Sequence, residues 1–401
     1  MNFPESARLW WRSITGPVNL VAHTVHALRT RNTVLLRVPE DVPWRKEMRM
    51  ATEALLRDAE ENLLISYIDC QDECPEVSNI GDFLLGKFAI SDPNVRNGYR
   101  QASKQSIGQY ILEKEVLKNR VLWIKGINED RLSAWVSFCN NYKTESINQG
   151  LFVLECYSGD FNNSLSAHLT QIKYDDFVSN YDSLLFDNLL LANTDHSLIW
   201  KKYIAAVAFS LCGADVEVSE YFIYNIDFST VEPVTALLEI SEQEKFANRK
   251  AMEHLNPDHP FSLIRTKQHE ELTKKLWEAQ LQVIFPMIEL ERLRFTSQYQ
   301  NEIEGILQTE YWSPRDGQSK RIFQHGELLL KAFDVEIGTL YQMQHLRKND
   351  ARNEYYLYLP NENDREHLSL LYEMRNALAH IKTCSLEQVK KFLSTYPYDW
   401  S

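Results

Sequence analysis

The sequence predicts an α/β N-terminal domain built on a mostly parallel sheet, joined to an all-α C-terminal helical bundle. Three observations predict it. Apolar strand-like runs alternate with helical patterns from Thr33 onward, the rhythm of βα units. Beyond Asp176 the strand pattern fades into helical spacing. At 401 residues, the chain exceeds what one hydrophobic core usually serves.

The strands read TVLLRV (Thr33 to Val38), NLLISYID (Asn62 to Asp69), VLWIKGI (Val121 to Ile127) and GLFVLECY (Gly150 to Tyr157), with a fifth around His168 to Tyr174. Their near-continuous apolar character is that of strands covered on both faces. Helical patterns occupy Trp44 to Ala59, Ser103 to Asn119 and Asn128 to Asn141. Residues 70 to 100, rich in Asp, Pro, Asn and Gly, are expected to be mostly loop with one short helix near Phe83.

Helices follow at Leu198 to Cys212 and Pro233 to Glu239. The segment NPDHPF, Asn256 to Phe261, punctuates the chain with two prolines. The expected domains are therefore 1–175 (α/β), 176–255 (helical, lid-like) and 256–401 (all-helical). In the last, a long helical stretch runs from Ser262 to Leu307, with Pro286 expected to kink or divide it. A turn-rich loop, SPRDGQ (Ser313 to Gln318), breaks the helices. The final two helices are Asn363 to Lys382 and Ser385 to Tyr396, the latter opened by a capping box of Ser385 and Gln388.

Charge and cysteine usage narrow the function classes. A formal net charge of -13 opposes a broad nucleic-acid or anionic-membrane surface. The arginine-rich first fifty residues (Arg8, Arg12, Arg29, Arg31, Arg37, Arg45, Lys46 and Arg49) read as solvated or helix-covering charges. The start MNFPESARLWWRS lacks a secretory pattern and the longest apolar run, Tyr203 to Cys212, falls short of a membrane span. A cytoplasmic protein without membrane contact is expected. Six scattered cysteines read as reduced thiols. Cys70 and Cys74 lie close together, but no matching Cys or His pair completes a zinc set, and His23 and His26 sit on an apolar helical stretch. No cofactor or metal is expected.

After the first strand, a phosphate-binding loop would carry glycines and a lysine so that backbone N–H groups wrap the anion. Here the chain reads PEDVPWRK, Pro39 to Lys46. The glycines are missing, prolines remove donors, and Glu40 and Asp41 repel phosphate. Where an acidic pair would follow the third strand, Lys125 and Gly126 stand. The succession of elements over roughly 14 to 250 nevertheless resembles an AAA+ or related P-loop ATPase domain with its helical lid. The resemblance is architectural, and it implies a degenerate domain suited to a protein partner and not to nucleotide. A generic doubly wound domain that never bound nucleotide fits the same succession.

The chemistry-bearing motif lies near the C-terminus. RNALAH, Arg375 to His380, falls on a helical segment. Cleaving RNA without metal needs a base for the 2'-OH, an acid for the leaving oxygen and a cation for the phosphorane. Histidine serves either proton role, and arginine offers a planar fork to phosphate. At about 100° per residue, Asn376 and His380 share one helix face, while Arg375 enters the apolar arc of Leu368, Leu371 and Leu378. The motif is similar to the R-x(4 to 6)-H signature of the HEPN family, over roughly 262 to 401. That resemblance implies a dimerising bundle and a metal-independent ribonuclease site formed by Arg375, Asn376 and His380 at the dimer interface. It points to an effector, with toxin or phage-defence settings both open.

Other assignments stay beside it. Arg375 bridging Glu336 or Glu373, with His380 capping the bundle, gives a structural motif in a scaffold or regulatory subunit. His254, His259 and His367 read as surface or packing residues, and EYYLYLP (Glu354 to Pro360) reads as a strand or loop packed on the bundle.

Overall fold

The computed structural model describes residues 5–59, 63–73, 80–99, 105–142, 149–157, 169–252, 255–313, 318–345 and 357–396. In chain order come α1 (Glu5–Ser13), α2 (Thr15–Arg29), β1 (Thr33–Val38), α3 (Arg45–Ala59), β2 (Leu64–Asp69), α4 (Ile80–Phe88), α5 (Pro93–Gly98), α6 (Ile107–Glu113), β3 (Arg120–Ile127), α7 (Glu129–Asn141), β4 (Leu151–Tyr157) and β5 (Leu169–Lys173). Helices follow as α8 (Asn180–Ala192), α9 (Leu198–Cys212), α10 (Val216–Asn225), α11 (Pro233–Ser241), α12 (Ala247–Ala251), α13 (Pro260–Arg265), α14 (His269–Gln298) and α15 (Gln300–Leu307). Two hairpins, β6 (Tyr311–Ser313) with β7 (Gln318–Lys320) and β8 (Phe323–Gln324) with β9 (Glu327–Leu328), precede α16 (Ile337–His345), α17 (Glu362–Ala379) and α18 (Leu386–Thr395).

These elements form two compact units that are not consecutive stretches. The first comprises 1–186, 214–220 and 248–259; the second comprises 187–213, 221–247 and 260–401.

The first unit holds a five-stranded sheet in the order β2-β3-β4-β1-β5, parallel at every pairing. The order explains the residues. Central β1, β3 and β4 are buried along most of their length, whereas edge strands β2 and β5 are mostly only partly buried, because an edge is covered less completely than the middle of a sheet. Leu84, Ile111 and Trp135, from α4, α6 and α7, pack on Leu122, Ile124, Phe152 and Leu154 of the sheet. Elsewhere in the unit α1 and α2 pack with α3, and α2 also lies on β1 and β5.

The predicted helix over Ser103 to Asn119 is shorter in the structure: residues 103–104 lie outside the described ones, and α6 ends at Glu113. Glu115 and Asn119 adopt left-handed backbone angles that no helix continues through, and the turns between them deliver Leu117 to the core. Residues 70 to 100 contain a second short helix, α5, which Asp92 caps by accepting from the Asn94 and Val95 N–H groups, both at 3.1 Å.

In the second unit α14 runs unbroken through Pro286, so the expected division there is corrected. Proline removes one intrahelical donor, but buried residues on both sides of it, Leu276, Ile284, Met287 and Phe295, keep one continuous helix packed against α9 and α17. The breaks fall at Lys267, with φ +58°, and at Tyr299. The expectation of an all-helical back half is likewise corrected by the two hairpins. His325 and Gly326, with φ +51° and +85°, form the two-residue turn of β8 and β9, whose left-handed pair matches the twist of a hairpin. Leu357 and Leu359 are buried and Tyr358 exposed, so the described part of the aromatic segment packs on the helices; residues 354–356 and loop residues 314–317 lie outside the described ones. The capping box at Ser385 and Gln388 is formed. Among the described residues no helix is long and apolar enough to cross a membrane.

Candidate functional site

Three clusters of charged side chains stand out, two in the first unit and one in the second. The first lies where the strand order reverses: β1 leads to the far edge at β2, while β4 leads across β1 to β5. Such a switch point, outside the carboxyl ends of the strands, is where doubly wound sheets hold ligands. Register places Glu155 beside Leu36 and Tyr157 beside Val38. Glu155 is buried, and three donors converge on its carboxylate. Arg49 donates Nε to Oε2 at 2.8 Å and Nη2 to Oε1 at 2.7 Å. Trp123 donates Nε1 to Oε2 at 2.7 Å, and Arg45 approaches Oε1 to 3.5 Å.

The loop from β1 to α3 is closed by the same residues. Arg45 donates Nη2 to the carbonyls of Pro39 and Glu40 at 2.8 and 2.9 Å, and its guanidinium lies 5.3 Å over the Tyr157 ring. Trp11 donates Nε1 to the Pro43 carbonyl at 2.9 Å. This loop presents carbonyls to cations of the same chain, the reverse of a phosphate nest, and a carboxylate occupies the anion position. Part of the arginine-rich start is thus internal structure: Arg37 is buried, and Arg45 and Arg49 clamp Glu155, while Arg12 stays exposed and pairs with buried Glu47 at 2.9 Å. The expectation of solvated or helix-covering charges is corrected for Arg37, Arg45 and Arg49, because buried acids pair with cations when they can.

The second cluster was not legible in the sequence. Asp215, fully buried, accepts from Arg249 and lies 3.0 Å from His259 Nε2. His259 also lies 3.7 Å from Asp41, and Arg249 reaches Glu217 at 3.1 Å. The Trp44 N–H donates to Glu217. Burial alone would raise Asp215, but the Arg249 guanidinium and His259 hold it down to about 2. Burial and the charge of Asp215 raise Asp41, against the pull of His259. His259, expected as a surface or packing residue, is buried with its Nε2 beside the carboxylates of Asp215 and Asp41; its only sequence signal was an Asp-His step inside the punctuating segment. His254 and Cys74 lie outside the described residues, Cys70 is buried in the sheet core, and among the described residues no group of three or more His, Cys, Asp or Glu is arranged to hold a metal.

The third cluster contains the motif. Leu368, Leu371, Met374 and Leu378 are buried and fix the inward face of α17. Arg375 sits at the edge of that arc, its side chain 34% exposed, with Nη2 3.9 Å from Glu336 and Nη1 donating to Asn376 Oδ1 at 3.4 Å. Glu336 is shared with His325, at 2.9 Å, a partner that sequence reasoning missed. His380 is the C-cap of α17: its N–H donates to the carbonyls of Asn376 and Ala377, both at 3.1 Å, which is a backbone role, and its exposed imidazole has no hydrogen-bond partner among the described residues. Five positions separate Arg375 from His380, about 140° around the axis, so one copy of α17 directs them to different sides. His367 pairs with buried Glu291 at 3.0 Å and Arg294 joins the same carboxylate. The two hold Glu291 below the ordinary range against the opposing effect of burial.

No protein-family model matches the chain, and no curated protein matches its sequence.

Proposed function

We propose that the chain is a HEPN-type, metal-independent endoribonuclease effector whose first unit is a degenerate ATPase-like domain that binds a protein partner and no nucleotide. The observation that carries the reading is the state of the motif: Arg375, Asn376 and His380 are all at least partly solvent-accessible around the buried arc of α17, and Arg375 lies no closer than 3.9 Å to Glu336. Geometry also supports the dimer that the resemblance implies. With Arg375 and His380 about 140° apart on one helix, a centre holding both an imidazole and a guanidinium is assembled most directly when a second α17 supplies the complementary group. In that centre His380 exchanges protons with the 2'-hydroxyl or the leaving oxygen, Arg375 neutralises the phosphorane and Asn376 orients the scissile phosphate. The filled switch point supports the loss of nucleotide, and a toxin or phage-defence setting suits such an effector.

Incubating the full chain with diverse single-stranded RNAs in EDTA tests this. Cleavage by the wild type, abolished in His380→Ala, is the expected result. Intact RNA throughout would remove the nuclease reading. A second reading, a non-enzymatic scaffold or regulatory subunit, is favoured by one observation: Glu336 lies within 3.9 Å of Arg375 and partly answers the charge that phosphate would need.

A further inference from the structure

Arg375 lies beside Glu336, the residue that precedes α16, and Glu336 in turn meets His325, from the turn of the β8–β9 hairpin. The two contacts use different oxygens of one carboxylate: Oε1 lies 2.9 Å from His325 Nε2, and Oε2 lies 3.9 Å from Arg375 Nη2. Gln324 fixes this meeting. Its Oε1 accepts from the Glu336 N–H and from the Thr339 hydroxyl, both at 3.1 Å, and its Nε2 donates to the Asp334 carbonyl at 3.2 Å. The residue before the histidine thus pins the hairpin to the start of α16. A left-handed turn position that ordinarily takes Asn, Asp or Gly is held by His325, with φ +51°. Packing does not account for the ring, because its side chain is 78% exposed.

An ionised carboxylate only accepts, so Glu336 takes its hydrogen bond from a proton on His325 Nε2. In the neutral ring that leaves the lone pair on Nδ1, which meets no partner among the described residues. A carboxylate that orients an imidazole and stabilises its protonated form is the arrangement that makes histidine an effective general base. The 3.9 Å between Glu336 and Arg375 exceeds a hydrogen bond, so the guanidinium keeps donors for a phosphate.

We propose that His325 is the general base of the ribonuclease centre, with Glu336 as its positioning residue and His380 from a second α17 as the acid. The assignment rests on the ribonuclease reading, in which one imidazole cannot accept the first proton and donate the second at the same moment. Nδ1 of His325 takes the 2'-hydroxyl proton as O2' bonds to phosphorus. The P–O5' bond then breaks, and O5' takes the proton of the His380 imidazolium. A 2',3'-cyclic phosphate and a 5'-hydroxyl are the products. Arg375, which shares a carboxylate with the base, neutralises the phosphorane oxygens.

The test measures kcat and KM of the full chain on a single-stranded RNA in EDTA, for the wild type, His325→Ala, Glu336→Gln and His269→Ala. His325→Ala is expected to fold as the wild type does, since the ring is exposed, and to lose about 10²–10⁴-fold in kcat. Added imidazole should restore part of that loss, a recovery that a structural role would not show. Glu336→Gln is expected to lower kcat with KM held. If Glu336 only answered the charge of Arg375, the same change would tighten RNA binding and leave kcat equal or higher. His269→Ala, exposed at the start of α14, keeps full activity. Cleavage that persists in His325→Ala, or that rises in Glu336→Gln, would overturn this assignment and leave the ribonuclease reading in place. RNA left intact by the wild type would overturn both.

Discussion

Arg49 grips Glu155 through two parallel hydrogen bonds of 2.8 and 2.7 Å, joining the first turns of α3 to the carboxyl end of β4 at the point where the sheet reverses its order. Removing the carboxylate leaves Arg49 and Arg45 facing each other with no buried anion. Glu155→Ala is therefore expected to lower stability by about 3–5 kcal/mol, the usual result of breaking a buried pair from one side. Glu155→Gln keeps an acceptor for Trp123 and should lose less. Urea denaturation measures both, and a loss under about 1 kcal/mol for Glu155→Ala would show that the clamp does not hold the loop.

The same clamp bears on nucleotide. Titration of ATP with magnesium into the full chain is expected to show no micromolar binding, because Arg45 is spent on the Pro39 and Glu40 carbonyls and Glu155 repels phosphate. Saturable micromolar heats would contradict the degenerate ATPase reading.

Asp215 and Asp41 respond to acid in opposite directions. Asp215 is held down to about 2, below the ordinary value of about 4 for a free aspartate. The stability it contributes is complete above about pH 4 and is lost as pH falls toward 2, roughly 2 kcal/mol in all. Asp41 is raised, so its contribution is present below its ordinary range and is lost as pH rises through its higher folded value. Asp215→Asn should flatten the acid limb of the stability curve, whereas Asp41→Asn should raise stability near neutrality. Denaturation midpoints near neutrality and at about pH 3 separate the two; an unchanged acid limb in Asp215→Asn would refute the assignment.

His380 and Arg375 separate catalysis from structure. The exposed imidazole of His380 predicts that His380→Ala changes stability by no more than about 0.5 kcal/mol, while RNA cleavage falls by about 10²–10⁴. Arg375→Lys keeps the charge but not the planar fork and should also fail. Light scattering on the full chain should give a dimer at tens of micromolar. A strict monomer would dismantle the composite centre, and a large drop in melting temperature without loss of cleavage per folded molecule would favour the scaffold.

Gln280 is the polar pin of the second unit. Its amide nitrogen donates to the Cys384 carbonyl at 3.2 Å and to the Tyr203 hydroxyl at 3.3 Å, and its oxygen accepts from the Cys384 N–H at 2.7 Å. Gln280→Leu strands these buried groups and should cost about 2–4 kcal/mol by thermal or urea unfolding. A near-neutral result would show that the site repacks or admits water.

What the sequence determined by itself was local. Apolar runs located all five strands of the sheet to within about two residues, most plainly central β1, β3 and β4, whose burial leaves no alternation to confuse the pattern. The capping box at Ser385 and the amphipathic spacing of α17 were equally readable, since each depends on residues three or four apart. The absence of glycine in Pro39 to Lys46 was visible too. Tertiary structure decided the rest. Pro286 stays inside one helix because α9 and α17 pack along both halves of α14, and His325 with Gly326 makes a hairpin in a helical region because two left-handed residues set its turn. Asp215, Arg249 and His259 became one buried network only when segments 34 and 44 residues apart met. Spacing along a chain encodes which face a side chain takes; which distant charge it meets there is set by packing.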